Sequence, residues 1–160
     1  MCVNFRALNK ITVKNHYPIP HIDVFLDQLK NVTYFTKLEL RSGYHQIWIE
    51  GDVWKTTFKT NKGLFQWSMM YFGLCNAPTT FMWVINNVFL PFIDDFVIVY
   101  LDSIIIFNNT CEVHVKHVKQ VLDVWKREKL YLNMLKSEFV KTYLVYLGII
   151  VGGGEFRIDL

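Results

Sequence analysis

The sequence predicts an α+β fold in which an antiparallel sheet is backed by helices. The first observation is an apolar, β-branched run over residues 96–107 (FVIVYLDSIIIF). It predicts two buried strands joined by a tight turn at Leu101, Asp102 and Ser103. The second is an amphipathic stretch over residues 112–129, which predicts a long helix. The third is that helices and strands are interleaved without the regular period of a parallel sheet.

Composition indicates one folded domain over residues 1–160. Hydrophobic residues make up 52% of the chain and charged residues 19%, which excludes a disordered chain. The net charge is +3, and residues 1–66 carry nine Lys or Arg against five Asp or Glu. This basic half fits a surface that faces nucleic-acid phosphates, and it fits ordinary solvated lysines equally well.

Cysteine spacing and hydropathy indicate which cellular compartment the chain suits and whether it associates with a membrane. The cysteines form no CxxC pair, which excludes a disulfide framework and a zinc ribbon. They favour a reducing intracellular compartment, without distinguishing a cytoplasmic particle from the nucleus. No signal-peptide pattern is present, and the best candidate span, residues 88–107, contains a proline and three aspartates. We therefore expect no membrane partner.

The first part of the chain predicts short elements. Residues 2–20 mix polar and apolar residues and end in two prolines, which predicts an extended segment leading into a turn. A short helix is predicted from near Pro20, because apolar residues recur at helical spacing: Ile22, Phe25, Leu26 and Leu29. Residues 33–40 alternate as in a strand that ends near Glu39, and residues 45–49 predict another short strand.

The middle of the chain predicts a hairpin and a helix. Asn61, Lys62 and Gly63 are a hairpin signal between strands predicted over residues 55–60 and 64–69. Asn76 is suited to cap a helix that carries Pro78 in its first turn and ends at Pro91. The buried face of this helix is predicted to consist of Phe81, Val84, Ile85, Val88 and Phe89.

The last part of the chain predicts a helix followed by strands. The helix over residues 112–129 has an apolar face made of Val115, Val118, Val121, Leu122 and Trp125. Residues 130–133 and 143–151 predict strands. The three glycines at 152–154 predict a flexible turn, and residues 155–158 predict a returning strand.

Two acids have similar surroundings in the sequence. Glu39 and Asp102 each lie at or near the end of an apolar strand, and adjacent strand ends of an antiparallel sheet bring such acids together. Paired carboxylates hold divalent metal, because Mg²⁺ prefers hard oxygen ligands. The alternative is that both acids are solvated strand ends. The only adjacent acid pair, Asp94 and Asp95, lies in a predicted loop and is interpreted as solvated.

Other motifs indicate structure rather than chemistry. His114 and His117 form an HxxH pair, but His114 shares the buried edge of the helix and no further zinc ligands of matching spacing follow. We therefore predict a packed histidine. The glycines at 152–154 lack the following helix of a phosphate loop, and no serine or cysteine nucleophile motif occurs.

Several stretches, in order along the chain, resemble a known family. The chain resembles the reverse transcriptase of gypsy-type LTR retrotransposons, specifically its palm with the trailing part of its fingers. The matching stretches are CVNFRALNKIT (2–12), YPIPHID (17–23), LELRSGYHQI (38–47), FGLCNAPTTF (72–81), VYLDSIIIF (99–107), LYLNMLKSEF (130–139) and YLGIIV (146–151). The resemblance implies a single domain fragment over residues 1–160 without thumb or RNase H. It also implies template-directed addition of dNTPs to a primer on RNA or DNA.

The resemblance implies roles for individual residues. Glu39, Asp102 and Ser103 stand at the three catalytic positions, and Glu39, Leu40 and Asp102 at the metal position, for Mg²⁺ or alternatively Mn²⁺. The substrate-binding positions are Arg6, Tyr44, Phe72, Gly73 and Lys136. The primer-binding positions are Tyr146, Leu147 and Gly148. It leaves the oligomeric state open.

Departures from the family pattern imply an impaired or inactive copy. The family has aspartate where this chain has Glu39, and the extra methylene moves the carboxylate by about 1 Å, enough to cost about 100-fold at a reacting centre. It also has aspartate where this chain has Ser103, whose neutral hydroxyl is a weak metal ligand. The alternative is a non-catalytic remnant that at most binds nucleic acid through the hairpin lysines Lys55, Lys59 and Lys62.

Overall fold

The computed structural model describes residues 3–18 and 22–158. Two 3₁₀ turns, Gly43–Gln46 and Val53–Thr56, accompany the helices and strands. In chain order the described elements are α1 (Arg6–Ile11), α2 (Ile22–Leu29), β1 (Tyr34–Glu39), β2 (Phe58–Thr60), β3 (Gly63–Phe65), α3 (Ala77–Phe89), β4 (Val97–Tyr100), β5 (Ser103–Asn108), α4 (Cys111–Arg127), β6 (Glu138–Lys141), β7 (Tyr143–Tyr146), β8 (Ile149–Gly152) and β9 (Glu155–Ile158).

A four-stranded antiparallel sheet in the order β4-β5-β1-β6 lies at the centre of the domain. The predicted central hairpin is confirmed as β4 and β5. Leu101 and Asp102 form its two-residue turn, because Tyr100 pairs with Ser103. In the neighbouring pair of strands, Glu39 of β1 lies opposite Ser103 of β5. The end of β1 therefore lies beside the turn that carries Asp102.

Helices α3 and α4 cover one face of this sheet, as predicted. Strand side chains alternate between the two faces, so Leu38, Ile104 and Ile106 point to the helical side and are fully buried. The helices contribute Phe81, Ile85, Phe89, Val121 and Trp125 to the same core.

A second layer that the sequence did not predict covers the other face. It consists of α2 and a three-stranded antiparallel sheet, β7-β8-β9. Phe35 and Ile105 point to this side and are fully buried against Leu144 of β7. Phe25 and Leu29, two residues of the predicted α2 face, complete this second core. The predicted start of α2 near Pro20 lies outside the described residues.

The predicted extended N-terminal segment is wrong over residues 6–11, which form α1. The Asn4 side chain accepts the Arg6 N–H over 3.1 Å, and the Thr12 hydroxyl donates to the Leu8 carbonyl over 2.8 Å, so side chains bond the backbone near both ends of the helix. No residue of α1 is buried, which is why apolar periodicity gave no signal. Arg6 therefore begins a short helix and does not lie in an extended segment.

The predicted strand over residues 45–49 is also wrong. Ser42 turns the chain with a left-handed φ of 50°, and residues 43–46 form a 3₁₀ turn. Only Trp48 makes an isolated bridge, to Met69.

Three details differ near the C-terminal end. The predicted strand over residues 143–151 is a hairpin, β7–β8, which reverses at Leu147 (φ 51°) and Gly148 (φ 76°). Residues 130–133 form only an isolated bridge between Leu40 and Leu132. Edge strand β6 was missed, and its pairing with β1 has an irregular register.

The remaining predicted elements are confirmed with small changes. The β2–β3 hairpin is shorter than predicted, and Val115 of α4 is exposed. Asn76 precedes α3, but its side chain does not cap it. Instead it accepts the Asn15 N–H over 3.0 Å and donates to the Val13 carbonyl over 2.8 Å. Within the described residues, no helix has the length and apolar character to cross a membrane.

Candidate active site

Glu39 and Asp102 lie on adjacent strand ends, as the sequence predicted. The Leu40 N–H donates to the Asp102 carbonyl over 3.0 Å, which joins the end of β1 to the β4–β5 turn. Both acids line one cavity of about 490 Å³. This cavity brings together six of the predicted site residues: Glu39, Leu40, Tyr44, Phe72, Asp102 and Lys136.

The turn that presents Asp102 has unusual backbone geometry. Leu101, the first turn residue, has a left-handed φ of 53°, which suits the tight turns of two-residue hairpins but is uncommon for a residue other than glycine. Such a conformation costs about 1–2 kcal/mol per residue. The buried Met82 lies beneath the turn, with its sulfur 3.0 Å from the Leu101 N–H. The surrounding core therefore holds the turn, and with it the backbone of Asp102, in place.

The carboxylate of Glu39 is paired with two lysines. Lys37 Nζ lies 2.9 Å from Oε1, and the side chains of both residues are 15% exposed. Lys136 Nζ lies 3.7 Å from Oε2, and the Lys136 side chain is 67% exposed. The predicted nucleotide-binding Lys136 thus reaches the acid site. Lys37 was not singled out from the sequence, although its i,i+2 spacing from Glu39 on one strand was the available signal.

The residues present do not fit a pair of divalent metal ions. Ser103, at the third of the predicted catalytic positions, is buried at 6% exposure and supplies only a neutral hydroxyl. Of the two remaining carboxylates, that of Glu39 already carries two ammonium groups. Among the residues that the structure describes, no group of three or more His, Cys, Asp or Glu side chains is arranged to hold a metal ion.

Tyr44 lies on the 3₁₀ turn after β1 and contacts two phenylalanines. Its ring meets Phe72 edge-on at 4.8 Å between centroids and lies 5.1 Å from Phe81. Burial raises the pKa of the Tyr44 hydroxyl, and the nearby negative charge of Asp102 raises it further. Gly43 permits this packing, because a Cβ at that position would lie 2.8 Å from the Phe81 ring.

The loop at Phe72 and Gly73 is held by a residue that sequence reasoning missed. Asn9 of α1 donates from Nδ2 to the Gly73 carbonyl over 2.7 Å and accepts the Cys75 N–H on Oδ1 over 2.9 Å. Arg6 lies beside Gly73 and Asn9 in a neighbouring pocket, and the structure does not bring it into the Glu39 cavity. An asparagine amide that bonds two backbone groups leaves no pattern in a single sequence.

The predicted primer-binding residues form the turn between β7 and β8. Tyr146 is buried, whereas Leu147 and Gly148 are exposed at the tip. The Tyr146 hydroxyl donates to the Tyr100 carbonyl over 3.4 Å, next to the β4–β5 turn. Burial raises the pKa of the Tyr146 hydroxyl strongly, and Tyr100, the Asp102 carboxylate and the Glu39 carboxylate add to the rise. The turn therefore lies close to both acids.

The other residues considered from the sequence, namely the histidine pair, the adjacent acids and the hairpin lysines, do not line the cavity of Glu39 and Asp102. His114 is fully buried and bonds Thr36, which confirms a packed histidine. Asp94 is exposed and lies outside the cavity. Of the three hairpin lysines, Lys55 is paired with Asp52 at 2.7 Å and lies 5.5 Å from the Trp54 ring.

Comparison with known proteins identifies the family. A family model described as reverse transcriptase (RNA-dependent DNA polymerase) matches residues 1–151. The chain belongs to the reverse transcriptase family. Reverse transcriptases of this family generally use divalent metal ions.

Relatives include both a short homologue and long polyproteins. The chain is 48% identical over 125 residues to an RNA-directed DNA polymerase homolog of Oenothera berteroana, covering 76% of this chain and 88% of that one. It is 38% identical over 160 residues to the retrovirus-related Pol polyprotein from transposon opus of Drosophila melanogaster, covering 99% of this chain and 16% of the polyprotein. The chain thus corresponds to the reverse transcriptase domain of retrotransposon polyproteins. The gypsy-type assignment stays a prediction.

Solved structures agree on the fold. A foamy viral protease-reverse transcriptase in complex with ds DNA superposes with a TM-score of 0.87 at 21% identity, covering 96% of this chain and 27% of the viral one. A second structure of the foamy viral protease-reverse transcriptase, in complex with an RNA/DNA hybrid, gives a TM-score of 0.81 at 22% identity, covering 97% of this chain and 21% of the viral one. The α+β fold is therefore that of a right-hand polymerase palm with part of the fingers, as predicted.

Proposed function

We propose that this reverse transcriptase domain binds a template–primer end and an incoming dNTP at the Glu39–Asp102 cavity, and that nucleotide transfer there is impaired. The observation that carries the proposal is that separate parts of the chain converge on one cavity. Residues 39–44, Phe72, the turn at Asp102 and Lys136 all line it. Among them are the residues to which the family resemblance gives catalytic, metal-binding and substrate-binding roles: Glu39, Leu40, Tyr44, Phe72, Asp102 and Lys136.

Each group has a physical role in holding substrates. Tyr44 lines the cavity and its ring is held against Phe72 and Phe81, which supports a role in contacting the sugar of a nucleotide. Lys136 is largely exposed at the cavity and can pair with a phosphate as a point charge. Leu147 and Gly148 are exposed at the tip that follows Tyr146, and the Tyr146 hydroxyl bonds the Tyr100 carbonyl beside the Asp102 turn, which supports contact between this tip and a primer end.

The acid positions support the proposed loss of transfer. The oxygen donors assigned to Mg²⁺, or Mn²⁺, are the Glu39 and Asp102 carboxylates and the Leu40 main chain. The first of these is neutralised by lysines, and Ser103 adds no charge. Without a stabilised developing charge, the orientation of substrates alone does not supply the usual rate of phosphoryl transfer.

Template–primer binding and extension are to be measured separately. Fluorescence anisotropy with an RNA–DNA template–primer at low salt tests binding, and primer extension with Mg²⁺ and then Mn²⁺ tests transfer. We expect salt-sensitive binding and no extension by the unmodified chain. Extension by the unmodified chain would contradict impairment, and a lack of binding at low salt would contradict substrate holding.

The matched variant is Glu39→Asp combined with Ser103→Asp. It restores the acid types of the family, and extension that appears only in this variant assigns the impairment to these two positions. If both proteins bind template–primer and neither extends it, the impairment lies elsewhere in the chain.

A second candidate is a non-catalytic domain that binds nucleic acid through the β2–β3 hairpin. Lys59 and Lys62 are exposed there, and the exposed rings of Trp54 and Phe65 lie nearby in the chain. Basic side chains interleaved with aromatic rings bind single strands without sequence preference. Replacing Lys59 and Lys62 by Gln would then abolish binding, whereas Lys136→Gln would not.

A further inference from the structure

Lys37 and Glu39 form the least exposed ion pair among the residues that the structure describes. They lie two residues apart on β1, so their side chains share one face of the sheet. That face is the one covered by the β7-β8-β9 sheet, with Phe35 on the same side of the same strand. Each side chain is 15% exposed, and Nζ lies 2.9 Å from Oε1. A pair largely removed from water is held more firmly than a surface pair.

The second lysine at Glu39 differs in kind. Lys136 lies 3.7 Å from Oε2 and its side chain is 67% exposed. Exposed pairs of this type contribute about 0–1 kcal/mol and rearrange easily. Lys136 can therefore leave Glu39 and pair with another group, whereas Lys37 stays paired with the Glu39 carboxylate.

The charge at the site follows from this arrangement. Lys37 and Lys136 together offset the two negative charges of Glu39 and Asp102, and Arg41 adds a further positive charge to the lining of the cavity. A divalent cation that approached Glu39 would meet the ammonium of Lys37 at the same carboxylate, and like charges repel strongly at that range. We propose that Lys37 is a specificity-determining residue that acts as the internal counter-ion of Glu39 and excludes divalent metal from the acid site.

The proposal deepens the proposed function, because it names the residue that keeps metal out of that cavity, and it is tested without nucleic acid or nucleotide. Mn²⁺ binding to the full chain, followed by electron paramagnetic resonance of the free ion, gives a direct readout. The unmodified chain is expected to bind Mn²⁺ weakly. Lys37→Met keeps the aliphatic stem, removes the charge and is expected to bind Mn²⁺ at least about tenfold more tightly.

Controls separate the site from a general charge effect. Lys119→Met removes an exposed lysine of α4 and is expected to leave Mn²⁺ binding unchanged. Adding Asp102→Asn to Lys37→Met is expected to abolish the gained binding, which assigns it to the cavity. Lys37→Arg keeps the charge and is expected to behave as the unmodified chain. Circular dichroism checks folding, and Lys37→Gln replaces Lys37→Met if the latter does not fold.

Either of two results would overturn the proposal. One is Asp102-dependent Mn²⁺ binding by the unmodified chain as tight as that of the folded Lys37 variant. The other is the absence of any gain when the Lys37 charge is removed. The Mn²⁺ measurement does not depend on template–primer binding or on primer extension. A negative result in either of those experiments therefore contradicts the proposed function without contradicting the role of Lys37.

Discussion

Glu39 lies directly opposite Ser103 across the β1–β5 ladder, at the last register position before the β4–β5 turn. Side chains of directly opposed residues in an antiparallel pair lie on the same face, with Cβ atoms about 5 Å apart. The identity of residue 103 therefore decides how much negative charge accumulates beside the Glu39 carboxylate.

Replacing Ser103 by Asp is expected to destabilise the domain by about 3 kcal/mol near neutral pH, because it buries a carboxylate at a position 6% exposed and opposite another acid. Urea unfolding at pH 7.5 measures the change. The control is Ser103→Asn, because asparagine has nearly the size and shape of aspartate but no charge. It is expected to destabilise the domain less than Ser103→Asp does. Equal losses in the two variants would show that size, and not charge, governs this position.

Replacing Gly43 by Ala is expected to destabilise the domain by about 1–3 kcal/mol, because the new methyl group would lie 2.8 Å from the Phe81 ring beneath Tyr44. Thermal unfolding measures the loss. In a chain that already carries Phe81→Leu, the substitution Gly43→Ala is expected to cost less stability than it does in the unmodified chain. A purely additive double variant would contradict the steric explanation.

Replacing Asn9 by Asp is expected to loosen the Phe72–Gly73 loop. Oδ1 can still accept the Cys75 N–H, but the second oxygen would face the Gly73 carbonyl where Nδ2 now donates over 2.7 Å. Loss of this bond is expected to cost about 1–2 kcal/mol. Hydrogen exchange over residues 72–76 is expected to accelerate, whereas Asn61→Asp in the exposed β2–β3 turn leaves it unchanged. Unaltered exchange in Asn9→Asp would remove Asn9 from its positioning role.

The stability of the domain is expected to fall with acidification below about pH 6.5, the unperturbed pKa of histidine. Burial lowers the pKa of His114, with a further decrease from His117. Burial also lowers the pKa of His117, although Asp95 opposes this. The folded state therefore binds fewer protons than the unfolded state, so this stability is complete above pH 6.5 and is lost as the pH falls through the folded pKa values.

The hydrogen bonds around both rings suit their neutral forms. His114 Nδ1 lies 3.0 Å from Asn108 Oδ1 and donates to it, and in the neutral ring Nε2 accepts from the Thr36 hydroxyl at 2.8 Å. Asn108 Nδ2 donates to His117 Nδ1 over 2.9 Å. Asn108→Asp places a carboxylate between the two rings and is expected to flatten or reverse the pH dependence between pH 7.5 and 5.5 in urea unfolding. An unchanged slope in that variant would place the acid sensitivity elsewhere.

The sequence predicted those parts of the fold whose buried faces have a regular period. The β4–β5 hairpin and α4 follow from β-branched and amphipathic patterns, and the structure confirms both. Helix α1 was missed because it buries no residue and is held by polar side chains. The β7–β8 hairpin was read as one strand because its turn, at Leu147 and Gly148, lies within an apolar run that lacks Asn or Pro.

The candidate site also contains residues that the sequence predicted and residues that it did not. Glu39, Asp102, Tyr44, Phe72 and Lys136 converge on one cavity. Lys37 and Asn9 were missed because their roles depend on contacts that only the folded structure shows. Lys37 pairs with the Glu39 carboxylate, and Asn9 bonds the backbone of the loop at Gly73. Arg6 was expected to share the nucleotide site, but it lines another pocket, together with Asn9 and Gly73.

The end of β1 and the segment after α4 are joined at several points. The Glu39 N–H donates to the Ser137 hydroxyl over 3.1 Å, and the Glu39 carbonyl accepts the Asn133 N–H over 2.8 Å. Ser137 in turn donates to the Asn133 carbonyl over 2.8 Å. The backbone of Glu39 and the segment from 133 to 137 are thus bonded together as one unit. Leu135 lies in the middle of that segment and is almost fully exposed, so a molecule that bound at Leu135 would contact the segment that holds the backbone of the acid.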